Sequence, residues 1–407
     1  MKPQRDFRQI LLAVLCVVLV LTPAFRAARP LPAELTDAEF WQLITNASET
    51  GGGFISENLV SNELGYPYII PSLTERVPAG GAYMGVGPEQ NFSYMAAIRP
   101  SIAFIIDIRR QNMIEHLFYK AVFELSASRR EFLSRLFARK IDPGLDGNAT
   151  PQQLFAAVGD VPQDAELYQT NLAAIKNLLS MQRGFTLSSD DESTLEHVYQ
   201  EFAQHGAETR YAVTGLSLTD TGRFVIQQPN GEIRLIQGAP ATDNQPTTLA
   251  AFSLMLSMQF PTYAQVMTAT DPGGKNWSYL VSEDSYRFVR DMQRKNLVVP
   301  LVGDFAGTKA IRAVGQYLKE HETTVSAFYV SNVEQYLTPP TKFQSFYANV
   351  ATLPLSPSST FIRSAQISGV QPGLAQSSLS PIQLALDAVM EGRARNWSDI
   401  LRLTSSK

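Results

Sequence analysis

The chain contains one cysteine, Cys16, in 407 residues. That cysteine lies in an apolar run, Ile10 to Leu21, preceded by Lys2, Arg5 and Arg8. A basic start and twelve apolar residues fit a signal-peptide core better than a full membrane span, and Thr22-Pro23-Ala24 or Ala27-Ala28 supply small residues for cleavage. Cleavage leaves a mature chain without cysteine, which excludes disulfides, thiol chemistry and cysteine metal sites. A cleaved chain is expected in the periplasm or outside the cell. An uncleaved one is anchored, and membrane contact is expected only through this segment.

Histidine is also scarce. His116, His197, His205 and His321 have no ligand-like spacing and no HExxH pattern occurs, so no metal site is expected. There is no Gly-x-Ser-x-Gly elbow to support hydrolase chemistry. Net charge is −4 and the basic residues are scattered, which argues against a nucleic-acid face. The sequons at Asn46, Asn91, Asn148, Asn276 and Asn396 read as chance matches.

What is present is an alternation of apolar strands and helices. Strands are expected at 81–86, 102–107, 297–303, 324–330 and 360–363. Helices are expected at 36–50, 91–99, 111–138, 151–158, 164–182, 190–205, 247–258, 285–295, 309–321, 342–350 and 381–391, with Tyr66 to Pro71 as a loop or short edge piece and a hairpin over 222–237 around Pro229-Asn230-Gly231. Ile102 to Ile106 is uninterrupted apolar sequence, as in a strand buried on both faces. The pattern predicts an α/β protein: a parallel sheet covered by helices on both faces, in three layers. Residues 1–28 are the leader or anchor and 29–75 an N-terminal helical and loop segment. Residues 76–140 and 297–407 form the core, and 141–296 an insertion of helices plus a hairpin.

The chemistry concentrates in Tyr83-Met84-Gly85-Val86-Gly87-Pro88-Glu89-Gln90-Asn91 and the strand that follows. Strand, glycine turn and helix form a cradle for a nucleotide-type cofactor, because glycine lets the backbone approach the ligand and the helix start offers free N–H groups. Asp107 lies about 20 residues beyond the turn, where a carboxylate can accept from ribose hydroxyls. Gly85, Gly87, Glu89, Asn91 and Asp107 are candidate cofactor contacts. Arg109 or Arg110 is expected to pair with a carboxylate and hold the loop. The third glycine of a dinucleotide fingerprint is absent near position 90, where Gln90 and Asn91 stand.

These motifs resemble the class I S-adenosylmethionine-dependent methyltransferases, which have a Rossmann-like fold. In that family a glycine turn follows the first strand, a carboxylate after the second binds the ribose, and a Gly-Asp pair after the third contacts the adenine. Gly85 and Gly87, Asp107, and Gly303-Asp304 occur here in that order. The phrases GVGPEQNFSYMAAIRP, FIIDIRRQN, VGDFAG and AFYVSNVEQYL also resemble an uncharacterised bacterial family with a Rossmann-like methyltransferase fold, over most of residues 36–365. The resemblance implies S-adenosylmethionine as cofactor and a methyltransferase-like activity with unknown acceptor. Asn332, Glu334 and Tyr336 then stand at the reactive end, with Glu334 as base and Asn332 as orienter. The family's acid two residues before the first glycine is Tyr83 here, and Glu89, Asn58 or Glu63 is expected to substitute. The family closes its sheet with antiparallel strands that the sequence after Arg363 does not announce. An exported, catalytically silent binding or interaction module of the same fold remains the alternative. An NAD(P)-dependent oxidoreductase is the weaker one.

Overall fold

The computed structural model describes residues 29–214, 257–365 and 376–405, and three short strands between positions 216 and 235. The expected leader at 1–28, the turn at 229–231 and most of the helix expected over 247–258 lie outside the described residues.

The chain is α/β, with a six-stranded, mostly parallel mixed sheet. Its strands are β1 (Ala82–Gly85), β2 (Ile102–Asp107), β3 (Val298–Val302), β4 (Val325–Ser331), β5 (Leu355–Ala365) and β6 (Gln376–Pro381). They lie in the order β6-β5-β4-β1-β2-β3. The first five are parallel, and β6 pairs antiparallel with β5 from Thr360↔Pro381 to Ala365↔Gln376. Every residue of β1, β2 and β3 is buried, so both faces of that half of the sheet are covered. This is why these strands read as unbroken apolar runs.

The main helices are α1 (Asp37–Ala47), α2 (Gln90–Ile98), α3 (Arg110–Glu124), α4 (Ala310–Glu320), α5 (Pro340–Val350) and α6 (Ile382–Met390). Helix α3 packs on β2 and β3, and helix Glu283–Arg294 lies against both α2 and α3. Helices α4, α5 and α6 form a second packed group, in contact with β2 and β5. Strand order reverses between β1 and β4, and a cleft is expected beyond the carboxyl ends of strands at such a point.

Several expectations need correction. The helix expected over 111–138 is two helices, α3 and Arg129–Leu136. The break comes at Ser126-Ala127-Ser128, where Ser128 accepts from the Glu131 N–H as N-cap, a role serine fills better than mid-helix. Tyr66 to Pro71 is neither a loop nor an edge piece but a 3-10 turn running into helix Ile70–Arg76, with Pro67 and Pro71 in first-turn positions where no N–H is missed. The last parallel strand is far longer than 360–363. Strand β6 and the helix Trp397–Ser405 were not foreseen, because Gln376 to Pro381 (QSSLSP) lacks the apolar content that marks a strand. Within the insertion, Phe224–Gln227 and Ile233–Leu235 pair antiparallel, and Leu216–Leu218 adds a third strand. No helix among the described residues is long and apolar enough to cross a membrane.

Candidate functional site

The carboxyl ends of β1 to β4 open into one cleft. Gly87, Asp107, Gly303, Asp304, Asn332 and Tyr336 all line it. Six of the ten expected site residues therefore meet around a single space. The other four, Gly85, Glu89, Asn91 and Glu334, do not line it.

The glycine turn is built from behind. Asn91, fully buried, donates through Nδ2 to the carbonyls of Val86 (3.0 Å), Gly87 (3.1 Å) and Pro88 (2.7 Å), and its Oδ1 accepts from the Tyr83 hydroxyl at 2.8 Å. Asn91 is thus a brace for the turn, not a ligand contact, and its buried side chain leaves no room for a glycan. A Cβ on Gly85 would stand 1.9 Å from Asn91 Oδ1, so only glycine admits the brace. Gly87 has open space but φ +74, a left-handed conformation that costs glycine least. His116 on α3 completes the support by donating from Nε2 to the Gly87 carbonyl at 2.8 Å. Burial lowers its pKa to about 4, so the ring is neutral. The sequence carried no sign of this role, since His116 sits inside a continuous helical pattern.

Asp107 ends β2 and is 5 % exposed. Arg109 grips it bidentately, Nε to Oδ1 at 2.9 Å and Nη2 to Oδ2 at 2.8 Å, and its backbone N–H also donates to Oδ1. A carboxylate offers about four acceptor positions, so Oδ2 in particular keeps a free lone pair. Arg110 points elsewhere, to Asp191 of the insertion at 2.6 and 2.7 Å. Glu115 lies buried within electrostatic reach of Arg109 with both oxygens unpartnered, and burial raises its pKa well above the usual carboxylate range.

At the end of β3, a Cβ on Gly303 would lie 2.4 Å from the Ala310 Cβ, so this glycine serves close packing of α4. Glu49, from the loop after α1, accepts from the N–H groups of Asp304 (3.0 Å), Lys309 (2.8 Å) and Ala310 (3.1 Å). A carboxylate at this helix start offsets the positive end of α4. Asp304 itself accepts from Ala306 N–H at 2.9 Å and faces Lys342 at 3.9 Å.

Glu334 requires the largest correction. It is buried after β4, where Arg363 Nε donates to Oε2 at 2.5 Å and the Tyr347 hydroxyl to Oε1 at 2.5 Å. Both oxygens are turned away from the cleft and committed to an ion pair, so Glu334 is not the base. The segment Phe54 to Glu63 supplies what the sequence only hinted at. Phe54, Asn58, Ser61, Asn62 and Glu63 line the cleft. Asn58 lies over the glycine turn, with Nδ2 3.6 Å from where a Gly87 Cβ would be and Oδ1 buried without a partner. The insertion contributes Tyr211, next to a two-residue ribbon that joins Ser56–Glu57 to Ala212–Val213.

Glu89 is fully buried and receives the Ser61 N–H on both oxygens at 3.1 Å. Burial raises its pKa to about 8. A carboxyl whose folded pKa is raised binds its proton more tightly in the folded chain. Its stabilising contribution is complete below about 4.5 and is lost as pH rises through about 8. Glu89→Gln removes that titration and keeps an acceptor for Ser61. The melting temperature of the variant is expected to stay flat relative to wild type between pH 5 and 8, where wild type loses on the order of a few kcal/mol. Parallel thermal melts across that range check this, and identical slopes would sink the assignment.

A model of the family described as a domain of unknown function, DUF7790, matches residues 58–143 and 229–388. The chain belongs to that family. The matched blocks contain every cleft-lining residue except Phe54 and Tyr211. They omit 144–228, most of the helical part of the insertion. No curated protein matches the chain. Among the described residues no cluster of His, Cys, Asp and Glu is arranged to hold a metal.

Proposed function

We propose that the cleft binds S-adenosylmethionine and that the protein is methyltransferase-like, with a Rossmann-like core. The observation that carries this reading is the convergence of Gly87, Asp107, Asp304 and Asn332 on one cleft at the point where strand order reverses. The antiparallel β6 beside β5 agrees with it, since the resembled methyltransferases close their sheets with antiparallel strands, and the strand order 3-2-1-4-5-6 is one that dinucleotide-binding sheets share.

The residues present fit the cofactor. Asp107 retains acceptor capacity for ribose hydroxyls, and Asp304 would contact the adenine as the Gly-Asp pair does in the resembled family. The Asn58 Oδ1 over the glycine turn is a buried acceptor without a partner, and it would hold an ammonium group of the methionine end. In this respect Asn58 stands in for the acid missing at Tyr83. When bound, S-adenosylmethionine supplies an electrophilic methyl group. The chain's own contribution is alignment and exclusion of water: the turn braced by Asn91 and His116 holds one end, and Asn332 and Tyr336 face the other.

Calorimetric titration of the full chain with S-adenosylmethionine, and separately with NADH, tests the reading. Micromolar binding of the first and none of the second is expected, because the glycine fingerprint for a dinucleotide is incomplete. NADH preference would favour an oxidoreductase. Binding of neither would favour the exported, silent module, a reading to which the sequestration of Glu334 and the pairing of Asp107 with Arg109 lend support.

A further inference from the structure

Glu63 is 4 % exposed yet lines the cleft. Its side-chain hydrogen bonds come from neutral groups: Gln90 Nε2 donates to Oε2 at 2.9 Å and Ser331 Oγ to Oε1 at 2.6 Å. The other two cleft carboxylates have cationic company, Arg109 on Asp107 and Lys342 near Asp304. Glu63 has no such partner among the described residues. A carboxylate taken out of water without a counter-charge is costly, and one that lines a cleft is a candidate to receive its counter-charge from a ligand.

The surroundings of Glu63 suit an organic cation. Gln90 Nε2 also donates to the hydroxyls of Tyr94 (3.0 Å) and Tyr329 (3.2 Å), so Tyr329 stands beside the carboxylate at the cleft wall. Tyr336 also lines the cleft, edge-to-face with Phe54 at 5.1 Å between ring centres. Rings near a carboxylate hold alkylated ammonium groups through both charge and π-face attraction. Ser331, which fastens Glu63, has φ +48, a left-handed conformation that non-glycine residues adopt at a cost and that concentrates at ligand sites.

We infer that the β4 wall of the cleft is a site for an organic ammonium group, held by the Glu63 carboxylate and faced by Tyr329 and Tyr336. The second ligand of the cleft is then an amine, not an acid or a neutral alcohol. The identity of that amine as the methyl acceptor rests on the proposed function; the ammonium site itself does not.

The test is titration of the full chain with choline and with 3,3-dimethyl-1-butanol, its uncharged isostere, each with and without S-adenosylhomocysteine. Choline is expected to bind at least about tenfold more tightly than the alcohol. In Glu63→Gln, which retains the hydrogen-bonding shape, the preference is expected to fall below about twofold. Tyr336→Leu, with Glu63 intact, is expected to weaken choline several-fold and serves where the first variant does not fold. Equal affinity for the two probes in wild type, or no binding of choline, overturns the proposal. So does competition between choline and S-adenosylhomocysteine, which would give Glu63 to the cofactor's own ammonium. Failure of S-adenosylhomocysteine to bind at all counts against the proposed function alone, and the choline preference measured without it still decides the ammonium site.

Discussion

Glu334→Gln is expected to destabilise the fold by about 3–5 kcal/mol and to leave cofactor affinity unchanged wherever the variant is folded. The carboxylate lies in a buried cluster with Arg363 and Tyr347, and Arg363 also donates to Ser380 Oγ. Arg363 is 1 % exposed, so a neutral amide opposite it leaves a buried guanidinium without its charge partner. The expected drop in melting temperature is on the order of 5–10 °C. The cluster ties the loop after β4 to β5, β6 and α5, which positions Asn332 and Tyr336 in the cleft wall. A double variant, Glu334→Leu with Arg363→Met, removes both charges and is expected to recover most of the loss, because the penalty comes from the unpaired ion. Urea denaturation of the single and double variants measures both effects. A Glu334→Gln protein with wild-type stability but no function would reverse the assignment and restore Glu334 to the chemistry.

Asp107→Asn is expected to weaken S-adenosylmethionine binding about 100-fold, since hydrogen bonds to a charged acceptor contribute about 1.5–3 kcal/mol each and a ribose diol makes two. The variant also deprives Arg109 of its ion pair, so stability must be recorded beside affinity. Arg109→Gln separates the two roles. It leaves the carboxylate in place and is expected to keep most of the affinity while lowering stability, because Asp107 then lies buried without its cation. Calorimetric titration at a temperature well below both melting points reads the difference. Equal affinity in Asp107→Asn and wild type would mean that Arg109 occupies this carboxylate permanently and that ribose binding lies elsewhere.

How much of the site was legible follows from the range over which each signal acts. The turn at Gly85 and Gly87 and the acid at Asp107 were readable because strand, turn and helix are consecutive and their geometry is local. The same locality misled at Asn91 and Glu334. Both stand at the right positions in the chain, but one points back under the turn and the other toward Arg363, a residue on a different strand. The run from Phe54 to Glu63 looked only unusually polar. Its meaning lies in contacts with Gly87 and Ser331, the latter 268 positions away.

By itself, the sequence determined that apolar strands alternate with amphipathic helices, that a glycine turn follows the first core strand, and that thiol chemistry is excluded from a cleaved chain. Those properties depend on residue type and on spacing within a few turns of chain. Only the tertiary structure decided which carboxylates are neutralised, which are buried apart from the cleft, and which one faces it without a counter-charge. Asp107, Glu334 and Glu63 are chemically alike, and what separates them is a cation folded against the first two and, among the described residues, absent from the third.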